Sequence, residues 1–304
     1  MAGFTTSAQQ ANSLKRTLDR IITDKTDGLE AALQMPKYFN VGNMTDQFHD
    51  DLEVAGPGLA SEKSEGAQIT VGSITEGYLS RYLARTYAIG LSVTREALRD
   101  AKYADVIQAG RRCKRSLYKT IDVDAALVLA RAEDTGYTGG DGLSLANASH
   151  TTPSGATFSN TMTTPMSPSV QAVTVATSAI RTMISHDGHR EGYQPKKVLC
   201  PVEQWADWAE LTKSVNHPDA GEFNAINVLN QVLNLEVVEV LHWDNTTTNW
   251  AVTSDAEGGL SWRWRQRPES DSWMENGPLV MNYSCHGRWA RGWSNPRGLY
   301  FVGS

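Results

Sequence analysis

The sequence predicts an α+β fold of unequal parts, on three observations. A helical pattern without proline runs from Thr94 to about Ala132. At ~1.5 Å per residue it would be about 60 Å long, longer than a compact domain of this size is wide. A long hairpin pattern precedes it, and the last third of the chain is rich in strand patterns separated by Gly and Pro turns. A rod of that length belongs to a flat, extended protein, of the kind that tiles with copies of itself.

Composition bounds the rest. The chain has 304 residues, 40% hydrophobic and 20% charged, enough for one large or two modest globular domains. A net charge of −6 argues against a dedicated nucleic-acid binder but leaves room for a local basic face. The three cysteines, Cys113, Cys200 and Cys285, are odd in number, far apart and without zinc-site spacing, which points to a reducing place of synthesis. The segment from Met1 to Gln10 lacks the apolar core of a signal peptide, and no run approaches ~18 apolar residues, so no membrane span is expected.

In chain order, residues 8–35 read as an amphipathic helix or pair of helices. Leu14, Leu18, Ile21 and Ile22 stand at helical spacing, Gly28 interrupts, and Leu29 and Leu33 resume before Pro36. Residues 47–76 read as the hairpin: Phe48, Leu52 and Val54 go out, and Ile69 and Val71 alternate with polar residues on the return. Between them Gly56, Pro57, Gly58, Glu62, Lys63 and Glu65 belong to an exposed tip. A third extended run, Tyr82 to Val93, leads into the helix, with Thr94 as N-cap and Glu96 in the first turn.

Along the helix, Val106, Gly110, Cys113, Leu117, Ile121, Ala125 and Val128 form one apolar stripe. Arg111, Arg112, Arg115 and Lys119 fall roughly opposite, as a solvated basic strip or a surface turned toward a polyanion. Asp122 and Asp124, two apart, must point to different faces. Residues 133–166, full of Gly, Ser, Thr and Pro, read as a long loop or β-excursion. Ser167-Pro168 is an N-cap with proline at N1, opening a helix to Ser185. Lys197–Cys200 is a short buried strand, and Pro201 opens a helix with Trp205, Trp208 and Leu211 at apolar positions. A short helix at Asn227–Leu233 precedes strands at Leu235–Leu241, Trp250–Ser254, Leu260–Arg267, Leu279–Trp289 and Leu299–Val302.

Catalytic fingerprints are weak. Gly142-Leu143-Ser144-Leu145-Ala146, with Asp141 and His150 nearby, approaches a nucleophile elbow, but the loop-like stretch after it lacks the strand–turn–helix context such a serine needs. His186-Asp187-Gly188-His189 reads as a helix end rather than as metal ligands. Nucleotide-loop and zinc-hydrolase motifs are absent. The tryptophans crowding the last third read as core or interface filling rather than a sugar platform. The expectation is a protein that is not an enzyme, with no catalytic residue, cofactor or metal.

Several stretches resemble one family. Ile89–Asp100 looks like the entry to its long spine helix. Asp141-Gly142-Leu143, Ala148-Ser149-His150 and Phe158-Ser159-Asn160 resemble an Asp-Gly…His-Pro…Asn segment of Mu-like head proteins, with Thr151 in place of the proline. Gln194–Trp208 resembles its strand, proline and Trp-bearing helix, and Arg291-Gly292 its final strands. Together with the order of elements, the chain resembles the major capsid proteins of tailed bacteriophages, with the Hong Kong 97-type fold.

The resemblance implies an N-terminal arm at residues 1–45 and an extended E-loop hairpin at 46–90. A peripheral domain would comprise 91–139 and 259–304, its spine helix at about 94–132, and an axial domain 140–258. It implies self-assembly into pentamers and hexamers of an icosahedral head around double-stranded DNA, held by non-specific contact, with procapsid maturation. A separate scaffolding protein and a portal would be partners, a decoration protein is allowed, and no membrane is involved. The place is the virion, and the host cytoplasm during assembly. The basic strip would face DNA. The hairpin tip would meet a neighbour, with Lys63 a solvated charge. Two alternatives stand beside this: an encapsulin-like compartment, and a carbohydrate-binding or hydrolytic protein using the Trp-rich strands or Ser144.

Overall fold

The computed structural model describes residue 16 and residues 28–94, 103–214, 227, 229–243, 249–275 and 280–303. Two four-stranded sheets organise it. The first has the order β1 (Asn40–Asn43), β10 (Leu260–Glu275), β11 (Val280–Trp293), β4 (Arg85–Thr94). The second has the order β12 (Leu299–Val302), β9 (Trp250–Ser254), β7 (Pro195–Pro201), β8 (Glu236–Val240), with β7 and β8 parallel. Two smaller pairs complete the set: β2 (Phe48–Ala55) with β3 (Thr75–Leu83), and β5 (His150–Thr151) with β6 (Thr157–Phe158). Three α-helices are described: α1 (Tyr103–Ala130), α2 (Val170–Thr182) and α3 (Trp205–Lys213).

Helix α1 forms as the stripe predicts. Cys113, Leu117, Ile121, Ala125 and Val128 are buried and pack with Met281, Tyr283 and Cys285, the inward alternate residues of β11. The described helix is 28 residues long, roughly 42 Å. Thr94, expected as its N-cap, instead ends β4 opposite Val280. The first turn with Glu96 and the stretch 95–102 lie outside the described residues, as do most of 8–27 and the side chain of Val106.

The second sheet is buried on both faces. Leu199, Val238, Ala251, Leu299 and Phe301 join the core under α1, while Val198, Cys200, Val252, Tyr300 and Val302 join a second core. That second core contains residues of α2 and α3. Strands covered on two sides read as continuous apolar runs, which is why Leu299-Tyr300-Phe301-Val302 shows no alternation. β12 joins this sheet, apart from β10 and β11.

Several expectations are corrected. The return strand of the hairpin begins at Thr75, so Ile69 and Val71 lie in the tip, 75% and 89% exposed. The extended run expected from Tyr82 is split: Tyr82 belongs to β3, and β4 begins at Arg85. Ser169, not Ser167, caps α2, accepting a hydrogen bond from the Ala172 N–H, because Ser169 is the last extended residue before the helix. That helix stops at Thr182, so His186–His189 lies beyond it in a tight turn, where Ser185 N–H donates to His189 O at 2.6 Å and Gly188 takes φ +82. Pro201 ends β7, a 3-10 turn intervenes, and α3 begins at Trp205, which is 49% exposed while Trp208 and Leu211 are buried. The short helix expected from Asn227 is a π-turn at Leu229–Leu233.

Candidate functional site

The hairpin β2–β3 carries the most informative side-chain pattern. Along β2, Phe48, Asp50, Leu52 and Val54 are exposed, whereas Asp51 and Glu53 turn toward the body. Usual polarity is largely inverted: Asp51 and Glu53 point in while Phe48, Leu52 and Val54 point out, with Asp50 among them. On the outer face Phe48 lies opposite Leu83 and Leu52 opposite Leu79, each 46–52% exposed. Arg81 spans this face, holding Asp50 through two 2.7 Å hydrogen bonds and stacking over Phe48, and this contact lowers the Asp50 pKa. A contiguous half-exposed apolar ridge is the usual mark of an interaction surface.

The inward acids anchor the hairpin. Glu53 accepts from Arg297 Nη1 at 3.1 Å and pairs with His186. Arg297 is 1% exposed; its Nε donates to Ile184 O at 2.7 Å and its guanidinium lies 4.2 Å over the Phe158 ring. Asp51 accepts from Ser294 Oγ at 2.8 Å, and the Tyr82 hydroxyl also meets Ser294. Burial pushes the Tyr82 pKa up to about 12. Tyr78 OH and Thr151 Oγ1 share a 2.8 Å bond. A buried arginine without an acid would be costly, so Glu53 is bound into place by the core itself.

Beyond the paired strands, residues 56–74 form the tip and all are exposed, including Gly56, Pro57, Gly58, Glu62, Lys63 and Glu65. The tip is a narrow arm. Gly72 lies against Pro57, Ser61 Oγ donates to Thr70 Oγ1 at 3.1 Å, and a turn closes where Ala67 N–H donates to Ser64 O. Gly66 supplies the positive φ (+79) that this turn requires.

On α1, Arg111, Arg112, Arg115 and Lys119 are all exposed and make no ion pair among the described residues. Lys114 between them turns inward, 5.9 Å from the Tyr118 ring centroid. Asp122 and Asp124 do face different ways. Asp122 accepts the backbone N–H groups of Gln34 and Met35; burial raises its pKa, and those two bonds oppose the shift. Asp124 gathers Tyr87 OH, Trp289 Nε1 and Arg291.

The Asp141, His150 and Asn160 positions converge, but as a buried staple. His150 Nδ1 sits 2.6 Å from Asp141 Oδ2, and His150 Nε2 lies 3.3 Å from Leu145 O. Asn160 Nδ2 donates to the carbonyls of Leu145, Pro296 and Leu299, tying the excursion to the C-terminal segment. Ser144 is buried and its hydroxyl donates to Ala146 O, which removes the elbow reading. Trp243, Trp250, Trp262, Trp264 and Trp289 are buried, so they form no sugar platform. Burial raises the thiol pKa values of Cys113, Cys200 and Cys285, the last two to about 12. Among the described residues, no His/Cys/Asp/Glu cluster is arranged to hold a metal, and no helix is long and apolar enough to cross a membrane. Sequence reading missed Glu53, Arg297 and the inverted polarity; the signal was the alternation of acids with hydrophobics over 48–54.

A family model described as phage capsid protein matches residues 78–302. The chain belongs to that family. Solved structures agree in fold. One from Mycobacterium phage Adephagia has a TM-score of 0.55 at 12% identity, covering 88% of this chain and 89% of its own. One from Microbacterium phage Oxtober96 has a TM-score of 0.52 at 10% identity, covering 92% and 98%. A virus-like particle from Pyrococcus furiosus has a TM-score of 0.51 at 11% identity, covering 95% and 98%. Comparison with curated proteins finds no match. The phage capsid protein has the mixed helix-and-sheet, Hong Kong 97-like fold expected, and a capsid role is structural. The family match begins within β3, so β2 and the tip stand outside it.

Proposed function

We propose that this capsid protein forms the shell of an icosahedral phage head, assembling as pentamers and hexamers that enclose double-stranded DNA. The observation that carries the reading is the hairpin's apolar ridge, held outward by Glu53 and Asp51 and exposed where a neighbouring copy could cover it. A two-stranded hairpin gains little stability alone and gains it by lying on a neighbour. In this reading residues 1–45 are the N-arm, 46–90 the E-loop, 91–139 and 259–304 the peripheral domain, and 140–258 the axial domain. Scaffolding, portal and decoration proteins are the partners, with assembly in the host cytoplasm and residence in the virion. No catalysis is part of this role.

The basic strip faces the packaged DNA. Four phosphate contacts would give a salt slope of about −3.6 in log affinity against log salt, independent of sequence. Reversing the four charges should leave the fold intact, abolish DNA retention and flatten that slope.

Negative-stain microscopy and gel filtration of the protein co-expressed with its scaffold test the main reading. Closed MDa particles are expected, and a strict monomer would refute it. Replacing 56–74 by Asn-Gly between the paired Ala55 and Thr75 should leave a folded subunit that forms no closed shell. The likeness to a virus-like particle from Pyrococcus furiosus supports a second reading, an encapsulin-like compartment. Particles purified from infected cells that hold a protein cargo and no DNA would favour it.

A further inference from the structure

Two of the three cysteines meet between α1 and β11. Cys113 lies in the apolar stripe of the helix, and Cys285 is an inward residue of the strand in the same core. The packing of the two elements sets their register. Trp289 Nε1 donates to Asp124 at 2.8 Å. Eleven residues back along α1 is about 16 Å and four residues back along β11 is about 13 Å, which brings Cys113 level with Cys285. There the two thiols hydrogen-bond to each other, and both are free. Cys200 stands apart on β7, where its thiol bonds to Val238 O.

The surroundings make this pair slow to react and hard to reopen. Burial pushes both thiols up, Cys285 to about 12, so little thiolate is present at neutral pH. The Lys114 ammonium opposes that shift at Cys285. Burial also excludes a bulky reagent, but a water-sized oxidant is not barred by its size. Cys113, 7% exposed against 1% for Cys285, is the side such an oxidant meets first. Where the surroundings do not stabilise the thiolate, the reduced pair has no advantage and a disulfide persists once made.

We infer that Cys113 and Cys285 are a latent disulfide, closed by small hydroperoxides once the protein leaves reducing surroundings, which bolts α1 to β11. One hydrogen peroxide balances the step. The Cys113 sulfur attacks a peroxide oxygen, the O–O bond breaks, and the departing hydroxide takes up the thiol proton as water, leaving a sulfenic acid. The Cys285 sulfur then attacks the Cys113 sulfur, the S–O bond breaks, and a second water leaves with the Cys285 proton. Two thiols lose two electrons, and the peroxide gains them. The bridge closes a loop of more than half the chain, with α2, α3 and β5 to β10 inside it, so it stabilises chiefly by constraining the unfolded chain. It belongs to the subunit itself and holds whether or not copies assemble.

The test uses the full chain purified in reductant, exposed to hydrogen peroxide at pH 8, freed of it, and unfolded in urea with a thiol-reactive dye. Thiols should fall from three per chain to one, with the mass lowered by two hydrogens and a single linked peptide pair joining Cys113 to Cys285. Cys200→Ala should fall from two thiols to none, whereas Cys113→Ala should keep both of its own. The oxidised subunit should melt about 3–6 °C above the reduced one, and a reducing phosphine applied after unfolding should restore all three thiols. Three thiols retained under peroxide, a mass gain from sulfinic acids in place of the link, or a bridge that uses Cys200 or a second chain would each overturn the latent disulfide.

Discussion

Removing Asp124 should be among the most damaging single changes to the subunit. Its carboxylate sits beneath the junction of α1, β4 and β11, accepting from Trp289 Nε1 at 2.8 Å, Tyr87 OH at 3.1 Å and Arg291 Nη2 at 2.5 Å. Asp124→Ala leaves the Arg291 charge and the indole N–H without an acceptor in a site that is 5% exposed at the aspartate. Breaking one side of a buried ion pair costs about 3–5 kcal/mol, and stranding a buried donor about 1–3, overlapping rather than adding. Taking about 4 kcal/mol, and an unfolding entropy near 2.1 cal/mol/K per residue, or about 640 cal/mol/K for the chain, Tm should fall by about 6 °C. Calorimetry and urea titration of unassembled subunits measure this. Arg291→Ala should cost a similar amount, and the double variant well below the sum, since the pair is then lost together. A cost under about 1 kcal/mol for Asp124→Ala, or strict additivity, would refute the hub.

Three further outcomes follow from burial. Asp122 keeps its proton in the folded chain at pH values where the unfolded chain has lost it, so its favourable contribution is complete below the usual aspartate pKa and lost as pH rises through the raised value. Asp122→Asn keeps the acceptor for the Gln34 and Met35 N–H groups and removes the charge, so its stability relative to wild type should rise as pH climbs above the usual aspartate range; a falling difference in urea titrations would contradict this. Tyr82, pushed up to about 12, contributes fully below its ordinary value of 10 and loses that contribution between there and about 12, at about 1.4 kcal/mol per pH unit. Tyr82→Phe should flatten the alkaline stability slope by one proton, read by urea midpoints, and an unchanged slope counts against its burial. The three buried thiols should ignore a thiol-reactive dye in the native subunit at pH 8 and react as three per chain after unfolding.

Much of the fold was legible because its elements are periodic. The stripe from Cys113 to Val128 is a one-dimensional record of one buried helix face, and it proved right residue by residue wherever the side chains are described. The β10 and β11 strands were legible in position but not in length. Pro268 and the register shifts between Trp264 and Glu269 break the apparent run at Arg267, while the ladder resumes and continues to Glu275. The tip residues and the exposure of the basic strip were legible from composition and spacing. Long-range anchors were not. Glu53 and Arg297 are 244 positions apart, and nothing local marks either as the other's partner. The Asp141, His150 and Asn160 motif was visible as a resemblance, yet its work as a staple on the Pro296 and Leu299 carbonyls appears only in three dimensions.

The inverted hairpin has an energetic consequence for assembly. Its five ridge residues, Phe48, Leu52, Val54, Leu79 and Leu83, are each about half exposed. Covering the remaining half of a Leu- or Phe-sized side chain stabilises by roughly 1 kcal/mol, so one docked ridge contributes on the order of 5 kcal/mol. That is comparable to the ~4–15 kcal/mol of rigid-body entropy that association costs, so a single contact between two subunits stands near balance. Anchoring by Glu53, Asp51, Tyr78 and Tyr82 shifts that balance at the right point, because the hairpin is already oriented before a neighbour arrives and little further ordering is required. In the proposed shell, pairs would form and separate readily, while a closed ring, in which every copy has contacts on two sides, would be retained. Loosening the anchor with Glu53→Gln should thus weaken ring closure far more than it weakens the folded subunit's resistance to urea, whereas equal losses in both would mean the anchor serves folding alone.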